Sequence, residues 1–99
     1  MNAKHFSTLE LKAREILARA DTDIDWSPAR VTIKSVFTAL WINALSAERV
    51  AEVGAALLGV KTDAAEVQRT LTKFVRAGIL RSRVDCRERL YEINFTADA

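Results

Sequence analysis

One cysteine, one histidine, one proline and three glycines are scattered through the 99 residues of this chain. Each scarcity excludes something. A single cysteine, Cys86, leaves no partner for a disulfide within the chain and no thiolate cage for zinc. With His5 as its only companion, no Ser/His/Asp or Cys/His relay can be assembled, so the chain is expected not to be an enzyme. No glycine-rich loop is present to cradle a phosphate, and neither a cofactor nor a metal is expected. No apolar run reaches the roughly 18 residues of a bilayer span. Met1 to Ser7 carry no apolar stretch of the kind that opens a secretory signal. The expectation is a cytoplasmic chain with no membrane role, and one unpaired cysteine fits a reducing compartment.

What is present is apolar residue and, in one stretch, positive charge. Hydrophobic residues make up 49% of the chain and charged residues 28%. That is the composition of a helix-rich globular domain rather than a disordered one. A chain of this length is read as one domain, 1–99, with a modest core. The net charge of +2 says little, but its placement says more. Residues 1–59 balance seven Lys/Arg against seven Asp/Glu. Residues 68–91 hold Arg69, Lys73, Arg76, Arg81, Arg83, Arg87 and Arg89 against only Asp85 and Glu88. A local basic surface is an electrostatic footprint for a polyanion, although a solvated helix face has the same composition.

Periodicity divides the chain into four helices and a hairpin. Ser7-Thr8-Leu9-Glu10 reads as a capping box that opens a helix over 7–20, with Leu9, Ala13, Ile16, Leu17 and Ala20 on one stripe. Asp21 to Trp26 reads as a polar linker. Ser27-Pro28 then starts a helix over 28–45, Ser27 as N-cap and Pro28 in the first turn. Its apolar residues run nearly all the way round, from Ile33, Val36, Phe37, Leu40, Trp41 and Ala44 to Val31 and Ile42 on the far side. Burial from two directions is one explanation, and the second cover is either the first helix or another chain. Ser46 caps a helix over 47–58, with Val50, Val53, Ala56 and Leu57 inward and Gly59 as its stop. Asp63 and Glu66 frame the start of a helix over 63–77, which ends at Gly78. A hairpin follows over 79–95. Leu80, Ser82 and Val84 alternate with Arg81, Arg83 and Asp85, Asp85 to Glu88 make the turn, and Tyr91, Ile93 and Phe95 share a face of the return strand.

On a helical wheel the fourth helix separates into two faces. Val67, Leu71, Phe74, Val75 and Gly78 fall within a sector of about 100°, the stripe of a packed helix. Ala65, Arg69, Thr72, Lys73 and Arg76 lie opposite, with no large apolar side chain among them. Such a face fits a major groove. Arg69 and Lys73 suit guanine edges or phosphates, and Gln68 and Thr72 suit base edges or the backbone. The hairpin brings Arg81, Arg83, Arg87 and Arg89 toward the same duplex, where they suit phosphates or the minor groove.

At these residues the chain resembles the winged helix-turn-helix family. The resemblance runs from Ala44 to Phe95 through Val50-Ala51-Glu52, Leu58-Gly59-Val60, Val67, Leu71, Arg76-Ala77-Gly78-Ile79-Leu80 and Arg89-Leu90-Tyr91-Glu92-Ile93. It implies a mainly α fold with a small antiparallel hairpin. It further implies a small transcriptional regulator that binds double-stranded DNA, with helix 63–77 in the major groove and the wing arginines on phosphates. Members are often dimers, and here the N-terminal helices are the expected homodimer surface. The alternative is a winged helix used as a protein-interaction module, a subunit of a larger assembly or a phage or plasmid protein that docks on host machinery. Negative charge at Asp63 and Glu66 and the apolar second helix favour it.

Other residues carry no such reading. His5 stands alone near the N-terminus. Cys86 at the hairpin tip has no resolving cysteine for a redox switch. Asp21, Asp23 and Asp25 have metal-like spacing but lack the glycine and glutamate of a calcium loop. Trp26 and Trp41 are read as packing residues, Trp26 as a staple ahead of the second helix.

Overall fold

The computed structural model describes residues 7–96; His5 lies outside them. The elements in order are α1 (Thr8–Ala18), α2 (Ala20–Asp23), α3 (Pro28–Ala39), α4 (Ala47–Leu58), α5 (Ala64–Arg76), β1 (Leu80–Asp85) and β2 (Glu88–Ile93). The molecule is mainly helical with a two-stranded antiparallel hairpin, the layout of a winged helix.

The helix starts follow from side-chain chemistry. Ser7, Ser27 and Ser46 each accept the backbone N–H three residues on, at 3.1 Å, and Asp63 accepts that of Ala65 at 3.3 Å. Each satisfies one of the donors that a helix N-terminus leaves orphaned. Gly59 ends α4 at φ +68, and Gly78 turns the chain out of α5 at φ +77, a region where a Cβ is penalised. The Arg19 guanidinium reaches across the fold and donates to the Ala77 carbonyl at 2.7 Å, closing the C-terminal end of α5 from outside.

The core lies where α1, α3, α4 and α5 meet the base of the hairpin. Ile16, Leu17, Ile33, Val36, Phe37, Val50, Val67, Leu71, Phe74, Ile79, Leu80, Tyr91 and Ile93 are buried in one cluster. Gly54 brings α4 close to α3, where its Cα faces the Thr32 methyl. The Thr32 and Thr62 hydroxyls are hydrogen-bonded at 3.2 Å, tying α3 to the turn before α5. The Lys34 ammonium bonds both carboxylate oxygens of Asp21, at 2.9 and 2.8 Å. That hydrogen bond holds the Asp21 carboxyl below its ordinary pKa.

Several expectations are corrected, and Leu9, expected on the apolar stripe of the first helix, is exposed. The helix expected over 7–20 is broken at Arg19, and α2 continues for one turn to Asp23. The helix expected over 28–45 ends at Ala39, because Leu45 is needed elsewhere. Its N–H donates to the Tyr91 carbonyl at 2.9 Å and its carbonyl accepts from the Tyr91 N–H at 2.8 Å, so Leu45 forms a single antiparallel bridge to β2. Leu57 and Ala56 are exposed, and α4 instead turns Ala47, Val50, Ala51 and Gly54 inward. Trp26 is 68% exposed rather than packed. Ile24 anchors the linker in its place, held by the Arg30 guanidinium on its carbonyl at 2.8 Å.

The wing turn is tighter than the four residues Asp85 to Glu88. Asp85 pairs directly with Glu88, and only Cys86 and Arg87 turn, at φ +49 and +66. Positive φ at both positions is the type I′ geometry, which asparagine and glycine adopt at least cost. Cys86→Asn should therefore stabilise the fold by about 0.5–1 kcal/mol. A thermal melt checks it, with a rise of roughly 2–6 °C expected.

Candidate nucleic-acid interface

Helix α5 is placed by its apolar stripe. Val67, Leu71 and Phe74 are fully buried, and Thr70 is buried beside them with its hydroxyl on the Glu66 carbonyl at 3.0 Å. The outward residues Ala65, Arg69, Lys73 and Arg76 are exposed, and Thr72 is half-buried. No large apolar side chain stands on that face. It presents about three turns of regular helix, and a major groove is wide enough to admit an α-helix.

The residues proposed from sequence fall into three groups. Along α5, the Arg69 guanidinium is ion-paired with Glu66 at 2.7 Å, one turn back on the same surface. Thr72 donates to the Gln68 carbonyl at 3.2 Å, so its hydroxyl proton is held by its own helix. Lys73 and Arg76 make no ion pair with a described residue. They line a shallow hollow with Asp23, Ile24, Asp25 and Ala77, so the acidic linker sits next to the basic end of α5.

The wing arginines divide between the two faces of the hairpin. Register pairs Leu80 with Ile93, Arg81 with Glu92, Ser82 with Tyr91, Arg83 with Leu90 and Val84 with Arg89. Arg81 and Arg83 therefore share a face with Glu92. Arg81 bonds its carboxylate at 2.9 Å, and Arg83 lies 3.7 Å from both Glu92 and Asp85. Arg89 is on the other face, the one turned to α5, and its guanidinium donates to the Ser82 hydroxyl at 2.9 Å. Arg87 is exposed at the tip, without an ion pair among the described residues.

Gln68 joins the two elements. Its side-chain amide donates to the Tyr91 hydroxyl, tying the exposed helix face to the wing. Sequence reasoning missed Tyr91 and Ser82 as members of this surface. The signal was available in the hairpin register, which makes them direct cross-strand partners and puts Tyr91 two residues from Arg89. Sequence reasoning also missed Arg19, whose contact with Ala77 spans 58 residues and leaves no local pattern.

Three packed helices, a helix with an open basic face and a hairpin beside it define the class as a winged helix-turn-helix fold. No protein-family model matches this chain, and no curated protein matches it. Among solved structures it is similar to the ferric uptake regulator from Francisella tularensis, determined with iron. The two are 28% identical, with a TM-score of 0.62 over 74% of this chain and 55% of the regulator. The chain thus spans about half the length of that protein. No described helix is long and apolar enough to cross a membrane.

Proposed function

We propose that this chain binds double-stranded DNA as a small transcriptional regulator, with α5 in the major groove and the wing on the flanking backbone. The observation that carries the reading is the outer face of α5. It is helical, open and basic, it bears no large apolar side chain, and Arg87 and Arg89 extend it onto the wing. The likeness to a regulator supports the same conclusion. In this reading Gln68, Arg69, Thr72 and Lys73 meet the groove. Arg76, Arg81, Arg83, Arg87 and Arg89 supply charge for phosphates. Arg69, Arg81 and Arg83 must exchange an internal carboxylate for a phosphate as they do so.

A homodimer through the N-terminal helices belongs to the proposal, because Leu9 and Leu11 on α1 and Val31 on α3 are exposed. A dimer at high micromolar concentration by light scattering is expected, and a monomer there removes this part. The iron named with the neighbouring regulator is not carried over. The described residues hold no group of three or more His, Cys, Asp or Glu that could take a metal, and the whole chain has one histidine and one cysteine.

Fluorescence anisotropy with random-sequence duplex DNA tests the main reading. Binding should weaken by about 10²–10³-fold between 50 and 200 mM salt, as roughly four to six phosphate contacts require. Absence of binding at 50 mM salt would favour the second reading, a protein-interaction module. The exposed Trp26 and Ile42 and the Glu66 carboxylate at the start of α5 speak for that reading.

A further inference from the structure

The wing and α5 enclose a crevice of about 210 Å3, lined by Gln68, Thr72, Val75, Ser82, Arg89 and Tyr91. A count of its protons shows what it lacks. The Tyr91 hydroxyl accepts from the Gln68 amide, and the Ser82 hydroxyl accepts from the Arg89 guanidinium. Each hydroxyl has therefore used a lone pair, and its own proton has no acceptor among the described residues. The second amide proton of Gln68 and the remaining protons of Arg89 are likewise unspent. Tyr91 is only 2% exposed, and it lines the crevice. No carboxylate lines the crevice, in contrast to the opposite face of the hairpin, where Glu92 holds Arg81 and Arg83.

A site rich in donors, carrying one positive charge and free of carboxylates, fits an acceptor-only anion. We propose that this crevice seats one phosphodiester group of the DNA backbone. Arg89 provides the ion pair, and the Ser82 and Tyr91 hydroxyls donate to the phosphate oxygens. The Gln68–Tyr91 contact sets the distance between the seated phosphate and the helix face that meets the bases. The inference rests on the DNA-binding reading and sharpens it, because it assigns the principal phosphate contact of the wing to Arg89 rather than to Arg81 or Arg83.

The test compares Arg89→Ala, Ser82→Ala, Tyr91→Phe and Arg81→Ala with the unaltered chain on a duplex selected by the protein from a random library. Anisotropy is read across a salt series. Arg89→Ala should weaken binding about tenfold and reduce the salt slope by about 0.9. Ser82→Ala and Tyr91→Phe should each weaken it several-fold with the slope unchanged, since neither removes a charge. Tyr91→Phe keeps the buried ring, and a thermal melt verifies that it is folded. Arg81→Ala should change the slope by less than Arg89→Ala. A methylphosphonate, which removes one phosphate charge, should at one position weaken the unaltered chain and leave Arg89→Ala unaffected. If the protein binds duplex but Arg89→Ala behaves like Arg81→Ala, or both hydroxyl variants bind as the parent does, the phosphate seat is overturned and DNA binding stands. Millimolar inorganic phosphate at constant ionic strength should compete with the duplex for this seat, and the competition should be lost in Arg89→Ala. Failure of the unaltered chain to bind any duplex at low salt overturns both.

Discussion

Gly54→Ala is expected to destabilise the fold by about 2 kcal/mol, although the same change in an open helix stabilises it by up to about 1 kcal/mol. The sign reverses because of what the new methyl meets. A Cβ at Gly54 runs into the Thr32 methyl and approaches the Val36 Cγ2 at 3.5 Å. Thr32 is buried and β-branched, so its rotamer is stiff. Turning the methyl aside would also carry its hydroxyl away from Thr62, and with it the tie to the turn before α5. The remaining route is to spread α3 from α4, which opens the support on which α5 rests. Thr32→Ser removes the offending methyl and keeps the hydroxyl, so the double variant should recover most of the loss. Denaturant unfolding reads both variants. A Gly54→Ala midpoint at or above that of the parent would mean that the crossing of α3 and α4 has room to spare.

This contact also marks where the sequence stops being readable. Gly54 in a helix pattern announces that something comes close, but not that Thr32, 22 positions earlier, is what comes close. Several features were legible where cause and effect lie within one turn. The serine caps, the stops at Gly59 and Gly78, and the buried stripe Val67, Leu71 and Phe74 are all of this kind. The same limit explains the end of α3. The apolar pattern runs through Leu40 and Trp41, so periodicity extends the helix. The structure breaks it because Leu45 exchanges two hydrogen bonds with Tyr91, 46 residues away. Trp41 is then free to pack edge-on against Phe95, with ring centroids 6.4 Å apart.

The candidate site divides along the same line. Periodicity alone puts Arg69, Lys73 and Arg76 on one side of α5 and the core on the other. It cannot say which wing arginines are neutralised, because that depends on whether Glu92 or Ser82 lies across the ladder. A composition count treats Arg81, Arg83 and Arg89 as equal. The register makes Arg89 the member turned to the helix and gives the other two a carboxylate. The cluster of seven basic residues is thus a weaker net field than its count implies. Its members without an ion pair among the described residues are Lys73, Arg76, Arg87 and Arg89.

Reversing charge at Arg69 and Lys73 together should abolish duplex binding, with a loss on the order of 10³-fold or more at 100 mM salt. The two residues are four apart and so neighbours on the outer face of α5. Contacts of this type contribute about 1–3 kcal/mol each, and a glutamate in place of each adds repulsion from the phosphates. The fold should survive. Both side chains are exposed, and the Glu66–Arg69 pair is a surface contact worth about 0.5 kcal/mol or less. Glutamate near the end of α5 meets the negative end of the helix dipole and costs up to about 1 kcal/mol more. A thermal melt beside the anisotropy series therefore separates loss of binding from loss of structure. Glu66→Gln should move the other way, releasing Arg69 and tightening binding a few-fold. If the double reversal and the Glu66 variant both bind as the parent does, this helix face is not the DNA surface, however basic it is. If they move in opposite directions, the internal Glu66–Arg69 pair is a brake on the same contact that Arg69 makes with DNA, and the acidic start of α5 ceases to argue against groove entry.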